Sequence, residues 1–493
     1  MPLKRQNKQV EHQLELPFAS GAKGEARSDI DGRVEAAFST HTHESPTESF
    51  DQVMQEVLKP ENLSKALNQV QANKGAPGID GMTVGQLPGY LKEHWPGIKA
   101  LLLQGRYRPQ PVKRVEIPKP DGGVRKLGIP TVLDRFIQQA VLQVLQKRWD
   151  HTFSQSSYGF RPGRSAHHAV EAAQRHIVGG GSGRSWVVDI DLEKFFDRVN
   201  HDRLMGRIMQ RENDKALIKL IRAYLNAGVM ENGVVVTSEE GTPQGGPLSP
   251  ILSNLVLDEL DKELEKRGHM FVRYADDCNI YVHSERAGQR VMASVSEFIT
   301  NRLKLKVNES KSAVDRPSRR KFLGFSFIAS KESRRRIAPQ ALDRFKKKVR
   351  ELTRRTLGKS MQQMKIPLNT YLRGWRGYFG LGRGCQTPRI LEILDEWIRH
   401  RLRSMTWKQW KRSRKRFAEL TKRGVSLNLA AQTVGSPHGP WRLSSSPALS
   451  IALPNRLWDQ LGIERVSVNK MKLNQPNRRM RTRMSGGVGG AEP

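Results

Sequence analysis

Cysteine is nearly absent from this sequence: Cys278 and Cys385 are the only two in 493 residues. That scarcity excludes a disulfide framework and any cysteine-rich zinc site, and it fits a reducing compartment. The thirteen histidines form no HExxH pair and no Cys/His ligand spacing. His167 and His168 are neighbours on an expected helix and point apart, as surface or core histidines do. Long apolar runs are missing as well. There is no stretch of ~18 apolar residues, no signal-peptide core near Met1 and no isolated lysine-rich amphipathic anchor, so no membrane partner is expected. Acidic residues are the other shortage, with 49 Asp and Glu against 84 Lys and Arg, a formal net charge of +35. So one-sided a surface repels itself, which favours a polyanionic partner, nucleic acid before anionic membrane. The length suggests about two to four domains.

Residues 1–50 are polar, without lasting periodicity, and read as a flexible extension. A helical pattern starts at "FDQVMQEVL" (50–58) and runs to a Gly/Pro loop, "NKGAPGIDG" (73–81). "YRPQPVKRVEIPKPDGGVRKLGIPT" (107–131) reads as a basic hairpin, strand to Pro-Asp-Gly-Gly turn to strand. A long helix is expected over 134–150, and "WVVDIDLEKFFDRVNHDRL" (186–204) opens as a strand and turns helical. No repeat of 20–50 residues is visible. The charge concentrates between Arg316 and Val425, where 32 Lys and Arg face seven Asp and Glu, an excess of 25. Interleaved aromatics such as Trp375, Phe379, Trp407 and Trp410 fit a packed helical core behind a phosphate-binding face. The basic, then Gly-rich end, 474–493, reads as flexible.

"FVRYADDCNIYV" (271–282) sets Asp276 and Asp277 side by side between two apolar strands. Adjacent like charges resist burial unless something positive sits on them. Phosphoryl transfer to a nucleic-acid 3′ end uses two divalent cations, and Mg²⁺ takes hard oxygen ligands, so a few carboxylates suffice. A further carboxylate is expected from "VVDIDLEKFFD". There Asp189 and Asp191 share one side of a strand, with Asp191 nearer its end and Asp197 a lesser candidate. An Asp pair in a turn is common on its own; a matching carboxylate strand makes it a candidate site. "GTPQGGPLSP" (241–250) adds a rigid loop whose glycines allow close approach, where a plain connector would need none.

With "SYGFRPGRSAHHA", "IPKPDGGVRKLGIPT" and "FLGF" (322–325), these segments occur in the order of reverse transcriptases. The set resembles the bacterial group II intron-encoded reverse transcriptase/maturase family over roughly residues 50–425. The resemblance implies an α+β right-hand polymerase over 51–330 (core about 100–327), fingers and palm, and an all-α thumb and maturase-specific domain over 331–425. Residues 426–493 would be a basic tail, either DNA-binding or disordered. It implies that Asp191, Asp276 and Asp277, with the backbone of Ile190, hold two Mg²⁺, or Mn²⁺ in their place. Phe196, five residues past Asp191, would pack under the incoming sugar, which favours Asp191 over Asp189 as the first aspartate. Lys119 and Arg125 would grip the triphosphate of a dNTP, a task suited to a point charge and a bidentate fork. Gln244 would sit by the nascent base pair, Tyr274 by the substrates, and Lys311 of "LKVNESKS" near the site. Surface charge is the plain alternative for each of these cations; Lys119 and Arg125 outweigh it because they sit on one hairpin within a matched block, and Lys311 is balanced between the two. "LRGWRGYFG" (372–380) and "LDEWIRHRLRSMTWKQWKR" (394–412) resemble the RNA-binding thumb; RNA helices are read by shape and phosphates.

The expected partners are group II intron RNA, an RNA template with a DNA primer, target DNA and dNTPs, in a bacterial, nucleoid-associated cytoplasmic setting. Past residue 316 only His400, His438 and Cys385 remain, too few for a zinc-containing His-Asn-His endonuclease, so the resemblance points to lineages without one. Two other readings stand beside a polymerase that assists splicing and mobility. One is a splicing-only maturase with an idle site, against which the intact aspartates and Phe196 count. The other is a host-recruited enzyme of repair or phage defence, against which Ala275 counts weakly.

Overall fold

The computed structural model describes residues 53–118, 123–178, 184–231, 234–236, 241, 245–328, 335–354, 358, 360–380 and 387–467. The expected extension 1–50, the residues Lys119, Gln244 and Cys385, and the end from 468 lie outside the described residues. Ten strands are described: β1 (Val112–Pro118), β2 (Val124–Ile129), β3 (Trp186–Ile190), β4 (Val229–Glu231), β5 (Val234–Val236), β6 (Met270–Tyr274), β7 (Asp277–Val282), β8 (Ala313–Asp315), β9 (Phe325–Phe327) and β10 (Arg335–Ile337). The basic hairpin forms as expected: β1 and β2 pair antiparallel, extended by β4 and β5 into a four-stranded fingers sheet.

The palm sheet runs β6-β7-β3-β8, with every pair antiparallel. Alternate side chains point to opposite faces of a strand. Val188, Ile190, Cys278 and Ile280 enter a core shared with the fingers helices, while Val187 and Tyr281 enter a second core shared with the thumb. Asp189 lies on the Val187 face, opposite Asn279. That sheet face is therefore apolar at one end and acidic at the other. Helix Ser249–Lys266 is buried along most of its length behind the sheet. Its interior polar residues have partners, Asn254 and Asp261 on Arg273, and Asp258 on Arg211 and Lys262.

After β3 the helix expected from the "DLEKFFD" segment forms only from His201; Phe195–Asp197 is a short 3-10 turn entered through Lys194, whose φ is +47°. The thumb helices are Pro339–Leu352, Met361–Phe379, Thr387–Gln409 and Ser413–Lys422. Their aromatics are core, as the spacing suggests: Phe345, Trp375, Phe379, Trp407 and Trp410 are buried. Palm and thumb meet at Gly324 (φ +83°), where a Cβ would stand 3.1 Å from the Phe379 ring. Tyr378 donates its hydroxyl to the Leu323 carbonyl at 2.8 Å, and His167 Nε2 lies 2.7 Å from the Tyr378 carbonyl.

Residues 426–467 correct an expectation. They are not disordered, but four short helices packed on the thumb, with Leu449, Trp458 and Val466 buried. Asp459 accepts from Arg399 and Arg465, Asp395 accepts from Val466 N and Ser467 N, and Asn369 bonds Gly462 O and Glu464 N. The acids of this segment thus absorb part of the basic excess. No helix among the described residues is long and apolar enough to cross a membrane.

Candidate active site

Tyr274 pairs with Asp277, so Ala275 and Asp276 form the two-residue turn of the β6–β7 hairpin. Hairpin turns of that length need positive φ at a central position, and Ala275 supplies it at +57° without being a glycine. Gly159, of the "SYGF" segment, lies against this turn: a Cβ there would stand 2.3 Å from Ala275 N. Tyr158 N donates to Arg273 O, and Arg273 N to Ser156 O, both at 2.9 Å. Tyr274 is half-buried beside Phe160, with ring centroids 6.4 Å apart. Phe160 itself holds φ at +59°. Of the six non-glycine residues with positive φ among those described, Phe160, Lys194, Ala275 and Leu323 fall in motif segments. Such strain persists where the surroundings enforce it, and it clusters at functional sites.

Asp191 follows the last residue of β3, Ile190, whose side chain is buried and which pairs with Cys278. Asp191 thus leaves the end of the ladder, and its charge bears on both Asp276 and Asp277. Asn308 Nδ2 donates to Asp191 Oδ2 at 3.0 Å, Lys311 Nζ stands 3.8 Å from the same oxygen, and Asp191 N donates to Ser312 Oγ at 3.0 Å. Lys311, balanced on sequence, is therefore at the site. Asp189 has a different fate. Arg320 donates to its Oδ2 from Nε at 2.9 Å and Nη2 at 2.6 Å, and Nη2 also reaches Lys311 O. Asp189 is neutralised, whereas among the described residues no cation or side-chain donor bonds Asp276 or Asp277. Asp197 is exposed on the 3-10 turn.

The loop after β5 is fitted to the site by glycines. Gly241 (φ +95°) lies against the Phe196–Asp197 backbone, where a Cβ would meet Phe196 O at 3.1 Å, and Gly241 N donates to Val199 O at 2.8 Å. Gly245 (φ +129°) leaves no room for a Cβ against Gly128 O of β2, 2.4 Å away. The two ends of the segment thus tie the Phe196 turn to the strand that carries Arg125. Phe196 is half-buried, edge-on to the buried Phe195 at 5.3 Å.

Burial pushes the Asp276 carboxyl up, as does Asp191, while Arg125 and Arg273 pull it down. Desolvation, then repulsion from Asp276, Asp189 and Asp191, pushes the Asp277 carboxyl up to about 7, with Lys321 opposing. Asp277 still reaches solvent, so water screens part of that repulsion. Burial also raises Asp189, against Arg320. Among the described residues no three potential ligands are drawn together around a point where an ion would sit. The donor set is nonetheless all hard carboxylate oxygen, crowded enough to repel, which is the chemistry Mg²⁺ satisfies. Sequence reading brings Asp191, Asp276, Asp277, Lys311 and, through its field, Arg125 to one place. It misses Asn308, Ser312, Arg320 and Lys321, whose only signal was polar side chains flanking β8.

Residues 117–327 match the family described as reverse transcriptase (RNA-dependent DNA polymerase), in keeping with a right-hand polymerase fold followed by a helical domain. Residues 342–424 match the group II intron maturase-specific domain. The chain is 35% identical over 241 residues to Protein YkfC of Escherichia coli (strain K12), covering 48% of this chain and 63% of that one. It is 30% identical over 353 residues to the group II intron-encoded protein LtrA of Lactococcus lactis subsp. cremoris, covering 58% of each. The chain thus carries, in this order, a region similar to reverse transcriptases and one similar to the group II intron maturase-specific domain. The chain spans about three fifths of the length of these curated relatives. Among solved structures it is similar to a chain of a partial Cas6-RT-Cas1–Cas2 complex, at 26% identity and a TM-score of 0.32, over 51% of this chain and 43% of that one.

Proposed function

We propose that the chain is an RNA-directed DNA polymerase encoded by a group II intron, which copies RNA into cDNA and binds intron RNA to assist splicing and mobility. The observation that carries the reading is the contrast within one acidic cluster: Asp189 is paired with Arg320, while among the described residues no cation or side-chain donor bonds Asp276 or Asp277, and burial and crowding push both carboxyls up. Asp191, Asp276, Asp277 and the Ile190 backbone would hold two Mg²⁺ (or Mn²⁺), which activate the primer 3′-hydroxyl and stabilise the leaving pyrophosphate. Arg125 and Lys119 would bind the triphosphate, Phe196 would exclude a 2′-hydroxyl, and Gln244 and Tyr274 would support the nascent pair. Lys311, beside Asp191, adds positive charge where phosphates arrive.

Exposed Lys408, Lys411, Arg412, Arg414 and Lys415 at the junction of two thumb helices support an RNA-phosphate face. Target DNA and the primer–template duplex would complete the set of partners. The test is primer extension on an RNA template with dNTPs and Mg²⁺ at fixed salt, comparing wild type with Asp276→Asn. The expected outcome is cDNA from wild type and none from a variant that still binds RNA. Stimulated intron splicing with no cDNA from either protein would replace this reading with a splicing-only maturase.

A further inference from the structure

Beneath the aspartate turn lies a polar cluster that takes no part in the chemistry. Arg273 of β6 and Asp261 of the helix Ser249–Lys266 are both fully buried. They meet as a bidentate pair, Nε to Oδ1 at 2.7 Å and Nη2 to Oδ2 at 2.6 Å. A guanidinium has five N–H donors, and here all five are used. The other three go to Ser157 Oγ at 2.8 Å, Asn254 Oδ1 at 3.1 Å and the Ala275 carbonyl at 2.8 Å. Asn254 turns its amide the other way and donates to Gly159 O at 2.9 Å. Gly159 is the residue whose missing Cβ lets the chain lie against Ala275 N.

A buried ion pair kept for stability alone would not need this geometry, since apolar residues of similar volume do as well or better. What singles out this pair is its fourth contact. It grips the carbonyl of the first turn residue, the one held at positive φ, directly before Asp276. From Arg273, Asn254, Ser157 and Gly159 we infer that Arg273 is a positioning residue. It fixes the height of the Ala275–Asp276 turn, and so the direction in which Asp276 and Asp277 present their oxygens to divalent cations. The fork geometry is essential: a lysine in its place keeps the charge against Asp261 but lacks the donors to hold Ala275 O, Asn254 and Ser157 together.

This inference rests on the proposed metal-binding role of the aspartates, and its test reads that role apart from polymerisation. Mn²⁺ binding to the free full-length protein is titrated by electron paramagnetic resonance for wild type, Arg273→Lys and Asn254→Ala. RNA affinity, melting temperature and single-turnover primer extension across a Mg²⁺ series are measured on the same samples. Groups that orient metal ligands typically govern affinity by about 10–100-fold. Arg273→Lys is expected to weaken Mn²⁺ binding by about tenfold or more, to shift the Mg²⁺ dependence of extension to higher concentration, and to leave RNA affinity unchanged. Asn254→Ala is expected to move the same readouts less, and it carries the test if Arg273→Lys does not fold. Wild-type Mn²⁺ affinity and Mg²⁺ dependence in folded variants, with activity tracking only the folded fraction, would overturn the assignment. If wild type makes no cDNA, the polymerase reading fails while the Mn²⁺ titration still decides the positioning role.

Discussion

Palm and thumb handle charge in opposite ways. In the palm a few carboxylates converge, each with its own surroundings: Arg320 on Asp189, Asn308 and Lys311 on Asp191, and no side-chain donor on Asp276 or Asp277 among the described residues. The turn before Asp276 and the loop beside Phe196 are fitted by Gly159, Gly241 and Gly245, where a Cβ would meet a neighbour at 2.3–3.1 Å. In the thumb, cations are numerous, mostly exposed, and set on regular helices with aromatic cores. The palm is built for position and the thumb for summed field. Single substitutions should therefore be severe in one and graded in the other.

The sharpest break of that contrast uses two aspartates two residues apart. Asp191→Asn is expected to cost more than ~100-fold in primer extension, beyond the range for groups that merely orient ligands. Asp189→Asn, which leaves Arg320 partly unmatched, should cost less than about tenfold on the same scale. Equal losses would erase the distinction. Next, Gly159→Ala forces a Cβ onto the Ala275 backbone. Overpacking of this kind costs about 1–3 kcal/mol, so a lower melting temperature and a strong loss of extension are expected with RNA affinity intact.

A milder effect is expected in the thumb. Lys411→Ala with Lys415→Ala should weaken RNA binding severalfold and lower the salt dependence of log K by roughly 1.5, at about 0.7–0.9 per phosphate contact. The extension rate at saturating RNA should stay unchanged. The smallest effect is a pH dependence. The folded Asp277 carboxyl is raised from 3.8 to about 7, so the folded chain binds the proton more tightly than the unfolded one. This residue's contribution is then fully present below about 4 and lost as pH rises to about 7. Metal-free Asp277→Asn should show a shallower fall in chemical-denaturation stability across that window.

Much of this was legible in the sequence, for reasons of period and turn chemistry. The β6–β7 hairpin and the β1–β2 hairpin show strand residues around short turns, and Asp191 could be favoured because it stands nearer the strand's end than Asp189. The neutralisation of Asp189 was not legible, because Arg320 is 131 residues away and nothing local marks the pair. The same holds for Arg273, whose partners come from three separate segments. Residues 426–467 were misread because their helices are short and interrupted by Pro and Ser, with buried residues too widely spaced for a helical period to stand out.

The joint between Gly324 and Phe379 has a consequence for inheritance. Palm and thumb touch there through a ring lying on bare backbone, and through Tyr378 held at Leu323 O and His167. A thumb transplanted from a relative should dock only if it brings an aromatic pair of matching size, or travels together with the "FLGF" segment. The two halves are thus expected to be exchanged between lineages as one piece, and a chimera cut between residues 325 and 378 whose thumb lacks a matching aromatic pair should lose cDNA synthesis even when each half is intact.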